Sequence, residues 1–323
     1  MLTRRQFLKK CRDISLLMCG STLLTRSLAE GFIKLAENPP PIAFVHAQNC
    51  MGCTTSMMYG NDFDFVDFLT HIGRLDLHPA LSFSQGADYT DNLEKIAAKG
   101  DYLLVVEGSI PARPREACYL GSKPVYDVLA GYAAKARMVI SSGSCASHGG
   151  IPASGGNHTG AMSVEAYLKK QKVDVPVLRL PGCPVHPDHI MGSVAYIAAT
   201  GKMPPLKKDA LKKETRLPEE YFGELIHNRC GRFQHFSQDL FVEDFAKEKE
   251  GCLLKKGCRG PITASDCPSR RWNQRTSVCV ESNTPCIGCM NSRWPFKENL
   301  YLETAEVEDL PWSKMNKKSK IGP

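Results

Sequence analysis

Three short apolar runs in this chain empty directly into cysteine, and that repetition constrains its fold more than any other feature. Residues 41–47 (PIAFVHA) lead to Cys50-Met51-Gly52-Cys53, 137–142 (RMVISS) to Gly143-Ser144-Cys145, and 175–180 (VPVLRL) to Pro181-Gly182-Cys183. A fourth run, 101–106 (DYLLVV), has the same character. Runs this short and this apolar suit strands buried on both faces. Helical stretches are expected between and after them, at 92–99, 123–135, 163–170 and 189–200. Strand alternating with helix implies an α/β fold whose parallel sheet is covered on both sides. In such a sheet ligands bind at the carboxyl ends of the strands. Four thiols far apart in sequence are therefore expected at one place.

A set of four thiolates that includes a C-x-x-C pair suits tetrahedral zinc or a 4Fe–4S cubane. In an exported protein, two disulfides are a further reading. Structural zinc more often uses two local C-x-x-C knuckles, so the dispersed arrangement favours the cluster. A Cys50–Cys53 disulfide would be a redox motif rather than a staple. A chain of 323 residues builds its core without staples, so its 14 cysteines point to chemistry. The second half adds His227-Asn228-Arg229-Cys230, Cys252, Cys258, Cys267, Cys279 and Cys286-Ile287-Gly288-Cys289. Together these are eleven cysteines and one histidine, enough for three four-coordinate sites. Cys11, Cys19 and Cys118 are left over.

The net charge of +7 belongs mostly to the N-terminus, where residues 1–29 hold six basic residues against Asp13 alone. No basic stripe with interleaved aromatics remains, which argues against a nucleic-acid partner. Thr3-Arg4-Arg5-Gln6-Phe7-Leu8-Lys9 reads as a twin-arginine export motif, with a basic amphipathic helix as the alternative. The apolar run that follows, residues 14–24, is too short to span a bilayer. Small-residue cleavage candidates end at Ala29 and Ala36, and residues 303–323 are polar, without an apolar anchor. The expected organisation is a signal and linker at 1–36, an α/β domain at 37–205, and a domain at 206–323. That last stretch shows no strong strand pattern and reads as a loop-rich, mostly irregular or helical unit held by what its cysteines bind.

Taken in order, these motifs resemble the small, electron-transferring subunit of nickel–iron hydrogenases. The resemblance runs from the leader through Cys50-x-Gly52-Cys53, Val106-Glu107-Gly108-Ser109-Ile110-Pro111, Gly143-Ser144-Cys145, Pro181-Gly182-Cys183-Pro184 and His227-x-x-Cys230 to the final C-x-x-C. It implies a flavodoxin-like domain in which Cys50, Cys53, Cys145 and Cys183 hold a proximal 4Fe–4S cluster. His227, Cys230, Cys252 and Cys258 would hold a distal 4Fe–4S cluster, and Cys267, Cys279, Cys286 and Cys289 a medial one. Many relatives have proline at the position of Cys279 and a 3Fe–4S medial cluster. The cysteine here, with Arg270-Arg271-Trp272-Asn273 before it, resembles the selenium-containing (NiFeSe) branch and implies a medial cubane. Oxygen-tolerant relatives add two cysteines at positions that are Gly52 and Gly150 here, which implies an ordinary proximal cluster and an oxygen-sensitive enzyme. The family's carboxylate two residues after the first C-x-x-C is Thr55 here.

The resemblance further implies a hydrogenase of the uptake type, with no catalytic residue in this chain. The nickel–iron site would lie in a separate large subunit, and electrons would pass to a c-type cytochrome or a membrane electron-acceptor subunit from a complex in the periplasm. A standalone exported iron–sulfur carrier, or a zinc-binding protein, is the alternative. Glu107 is read as either a proton-handling or a structural carboxylate. His148, His186 and His189 are read as neighbours of the ligands or solvated residues rather than ligands, and Cys118 as a buried thiol. Arg229, Arg232, Lys255, Lys256 and Arg259 are read as either a docking rim or a solvated face.

Overall fold

The computed structural model describes residues 40–296 apart from 63, 73, 210 and 249. The twin-arginine motif, both cleavage candidates, Cys11, Cys19 and the polar stretch at 303–323 lie outside the described residues. Two compact units divide after Gly223.

In the first unit the chain forms β1 (Pro41–His46), β2 (Arg74–Leu77), β3 (Leu103–Glu107), the two-residue β4 (Tyr119–Leu120) and β5 (Lys123–Pro124), β6 (Met138–Ser142), β7 (Val177–Leu180), β8 (Leu206–Lys208) and β9 (Glu214–Pro218). Five of these make one sheet in the order β2-β1-β3-β6-β7, and every pairing in it is parallel. That order is the flavodoxin-like one, whose direction of winding reverses between β1 and β3. All residues of β3 and β6 are buried, as expected of strands covered on both faces. The helices are α1 (Gly52–Ser56), α2 (Gly86–Lys99), α3 (Val125–Ala133), α4 (Gly143–His148), α5 (Val164–Lys170) and α6 (Pro187–Thr200). Leu93 of α2, Leu129 of α3 and Tyr167 of α5 pack with Leu104, Val106 and Val139 of the sheet in one apolar core.

Several features differ from the sequence expectation, among them the start of α2, six residues earlier than expected at Gly86. β2 lies outside it, because in Arg-Leu-Asp-Leu only Leu77 is buried and the strand sits at the sheet edge. The antiparallel β8–β9 pair forms where the sequence shows no strong strand pattern. Its strands are short and mostly half-buried or exposed, with Lys208, Glu214 and Arg216 exposed and only Pro218 buried. α6 begins at Pro187, two residues before the expected start, with proline in its first turn and the His186 side chain accepting the Asp188 N–H at 3.2 Å.

The second unit has little regular structure among its described residues. It consists of short 3-10 turns, including Ile226–Arg229 and Leu254–Lys256, and the helices Phe233–Ser237 and Cys267–Arg270. Cys252, Cys258, Cys267 and Cys286 are buried in it.

Candidate metal centres

The first centre is built where the sheet's winding reverses. Beyond β1, the amide of Gln48 donates to the Ser109 carbonyl at 3.0 Å and the reverse bond is 3.2 Å. This fastens the Cys50 loop to the segment after β3. Met51 turns the chain through a left-handed conformation (φ 62°) into α1. The buried Glu107 carboxylate then accepts the N–H groups of Cys53 at 3.3 Å and Thr54 at 3.1 Å, and the Thr54 hydroxyl at 2.5 Å. These two amides lie in the first turn of α1, where intrahelical partners are lacking, so Glu107 holds the Cys53 loop in place. The carboxylate therefore has a structural use.

The other two cysteine loops close on the same point. The Ser144 amide donates to the Gly182 carbonyl at 2.7 Å, and the Gly182 amide returns a bond to Ser144 Oγ at 2.9 Å. The Val185 amide reaches Cys53 Sγ at 3.4 Å. Gly143, at φ +83°, lies so near that a Cβ would overlap Cys53 Sγ. Only glycine allows that conformation together with that approach. Gly150, at φ +54°, would place a Cβ 2.8 Å from the Cys145 Cα, so a side chain there is excluded without a backbone shift.

The thiols feel one another. Burial first, then Glu107, pushes the Cys53 thiol far up, and Cys145 and Cys183 add to the shift. Cys145 is pushed up to about 12 by burial, then by Cys183, with smaller contributions from Cys50 and Glu107. A buried group of this kind keeps its protons unless a cation compensates the thiolates, which is the chemistry of a metal centre.

In the second unit, one small cavity is lined by His227, Cys230, Cys252 and Cys258 together. His227 stands edge-on to Phe236 at 4.5 Å and to Phe233 at 5.1 Å. Burial lowers its pKa, favouring the neutral imidazole that ligates metals. Burial pushes Cys252 up to about 11, and Cys258 and Cys230 reinforce the shift.

Cys267, Cys279, Cys286 and Cys289 form a third group. Cys267 rises to about 12 through burial, with Asp266 and Cys279 adding to the rise. Cys286 is pushed far up by burial, then by Cys258, Cys289 and Cys267. The Gly288 amide donates to Cys286 Sγ at 3.4 Å. Cys279 is exposed as a residue, yet enough is packed about its thiol for burial to raise the pKa.

No disulfide joins any of the twelve described cysteines. Among the described residues, no group of three or more His, Cys, Asp or Glu side chains is gathered tightly enough for a single metal ion. The donor sets, four thiols in two of the groups and three thiols with one imidazole in the other, suit a four-coordinate iron–sulfur or zinc centre.

The remaining sequence candidates divide. Cys118 is half-buried against the core, raised to about 11 by burial. His186 and His189 are fully buried and packed ring to ring at 5.0 Å, with His189 stacked on Tyr221 at 4.4 Å, so neither is solvated. His148 is held neutral by burial, at about 3. Lys255 pairs with Glu243 at 2.5 Å, and Arg229 pairs with Glu224. Arg259 is only 2% exposed and lies over the Phe296 ring at 3.8 Å, so it belongs to no rim.

Sequence reasoning missed the support behind Cys53. His46 Nε2 lies 3.3 Å and His78 Nε2 3.2 Å from Thr54 Oγ1, and His46 Nε2 is 3.5 Å from the Glu107 carboxylate. His46 and Glu107 are register partners on β1 and β3. No spacing in the sequence announces that pairing.

Comparison with known proteins agrees with this geometry. Residues 222–302 match the family defined by the C-terminal part of NiFe/NiFeSe hydrogenase small subunits. Residues 50–197 match the NADH ubiquinone oxidoreductase 20 kDa subunit family. The periplasmic [NiFeSe] hydrogenase small subunit of Desulfomicrobium baculatum is 30% identical, across 91% of this chain and 96% of the relative. The hydrogenase-2 small chain of Escherichia coli K12 is 32% identical, across 95% of this chain and 81% of the relative. The solved H2-activated [NiFeSe] hydrogenase of D. baculatum superposes with a TM-score of 0.74 at 31% identity, covering 82% of this chain and 99% of that one. The fold is therefore that of an iron–sulfur oxidoreductase subunit. More narrowly, the chain belongs to the NiFe/NiFeSe hydrogenase small-subunit family.

Proposed function

We propose that this chain conducts electrons for a periplasmic nickel–iron hydrogenase of the uptake type, through three 4Fe–4S clusters, to an external carrier. Cys50, Cys53, Cys145 and Cys183 would hold the proximal cluster. Cys267, Cys279, Cys286 and Cys289 would hold the medial one, and His227, Cys230, Cys252 and Cys258 the distal one. When bound, each cluster supplies one-electron transfer, and hydrogen is cleaved at a metal site in a separate large subunit. The observation that carries the reading is that buried thiols influence one another at the proposed sites, and four of the proposed ligands line one cavity, in a chain whose relatives are hydrogenase small subunits.

The residues here do the holding. Glu107 fixes the Cys53 loop, the Ser144–Gly182 pair locks the Cys145 and Cys183 loops, and His227 presents a neutral nitrogen where the other ligands are anionic. Cys50 is exposed, and so are Met51, Met58 and Tyr59 close to it in sequence. Large apolar side chains of this kind support a protein partner over the proximal site, and the family makes that partner the hydrogenase large subunit. The D. baculatum relative is named as periplasmic, which agrees with the twin-arginine reading of Thr3–Lys9. The acceptor would be a c-type cytochrome or a membrane electron-acceptor subunit, and the medial motif around Cys279 resembles that of the NiFeSe branch.

The test is purification of the native complex from the periplasmic fraction by a tag on this chain, followed by a hydrogen-dependent dye-reduction assay. A stoichiometric second subunit and hydrogen-dependent reduction are expected. A chain that purifies alone and carries clusters would be a standalone carrier, and one that carries zinc a binding protein.

A further inference from the structure

We infer that Arg232 sets the reduction potential of the distal cluster from a fixed place between two of its ligand loops, an inference that rests on the proposed ligand set His227, Cys230, Cys252 and Cys258. The residue follows Cys230 by two positions, and it lines the same small cavity as those four ligands. Two tethers hold it there. Its amide N–H donates to Cys230 Sγ at 3.4 Å. Its Nη1 donates to the Gly251 carbonyl at 2.7 Å. Gly251 directly precedes Cys252 and is itself pinned, at φ +128° with a Cβ position 3.1 Å from Val242. Arg232 therefore bridges the two loops, its backbone amide on Cys230 and its guanidinium on the residue before Cys252.

A guanidinium keeps its proton at any working pH, so the charge is permanent. Arg232 is half-buried, and water screens it only in part. A positive charge stabilises the reduced, more negative state of a neighbouring centre, which raises its potential. Neutral histidine in place of a thiolate acts in the same direction. Neighbouring lysines do not duplicate the role. Lys255 is engaged by Glu243 and Lys256 lies over Phe245 at 5.5 Å, and neither lines the cavity.

The test is a redox titration of the intact two-subunit enzyme, with each cluster followed by EPR, for wild type, Arg232→Gln, Arg232→Met and Arg232→Lys. In the two neutral variants the distal midpoint is expected to fall. At fixed poise the oxidised-to-reduced ratio rises about tenfold, which is about 59 mV for a one-electron couple. The medial and proximal midpoints stay in place, and Arg232→Lys retains most of the wild-type value. An unmoved distal midpoint in a neutral variant that keeps its distal cluster overturns the inference. So does loss of that cluster from both neutral variants with a wild-type potential in Arg232→Lys, which marks a structural clamp. If the wild-type enzyme shows no distal cluster, the ligand assignment itself has failed.

Discussion

At the scale of single residues, Cys279 decides what the medial centre is. Its thiol is influenced by burial like those of the other proposed ligands, and its presence is felt by the Cys267 thiol. The proposed medial cluster is therefore a cubane with four protein sulfurs. Cys279→Pro removes one ligand and is expected to convert that cluster to 3Fe–4S, giving about one EPR-active spin per chain in the oxidised enzyme. If the variant gains no such signal, Cys279 is not a ligand. Gly143 is the steric counterpart. Ala at this position has to take up φ +83° and overlaps Cys53 Sγ. The strained backbone alone costs about 1 kcal/mol, and the overlap moves a ligand. Gly143→Ala is expected to empty the proximal site while leaving the medial and distal EPR signals intact. Full proximal occupancy in that variant would show that the loop gives way instead.

At the scale of the elements, the register of β1 with β3 sets His46 beside Glu107, and His78, just after β2, closes the group around Thr54. Burial, then the charge of His46, lowers the His78 pKa to about 3, against about 6.5 in the unfolded chain. The unfolded state thus binds the proton first as pH falls. Stability contributed by the neutral ring is full above about pH 6.5 and is lost progressively between there and about pH 3, at up to about 1.4 kcal/mol per pH unit. Thermal unfolding of the assembled complex is expected to lose less midpoint on acidification from about pH 7 to about pH 5.5 in His78→Gln than in wild type. Equal losses would show that His78 is charged in the fold. How much of this is legible in the sequence depends on burial. β1, β3, β6 and β7 are legible because covering both faces writes a continuous apolar run. The edge strand β2 and the β8–β9 hairpin bury too few side chains to leave such a run. The twelve proposed ligands are legible because cysteine and histidine at these spacings have few other uses. Thr54, His46 and His78 are not, since strand pairing and loop closure bring them together and no local pattern records that.

At the scale of the whole molecule, the two units divide the proposed work: the parallel sheet presents the proposed proximal ligands at its carboxyl edge, and the second unit carries the two further proposed ligand groups with little regular structure. In the second unit the proposed clusters stand where a larger apolar core would otherwise be needed. Cys252, Cys258, Cys267 and Cys286 are buried, and metal binding that orders such proposed ligands would contribute directly to folding. The central claim is that the chain carries three cubanes. The most direct measurement is iron, acid-labile sulfide and zinc in the complex purified without oxygen, with EPR of the oxidised enzyme. Three cubanes predict about twelve sulfides for each copy of this chain, no stoichiometric zinc and no 3Fe–4S signal. Stoichiometric zinc, about four sulfides, or a full 3Fe–4S signal in the wild-type enzyme would contradict it.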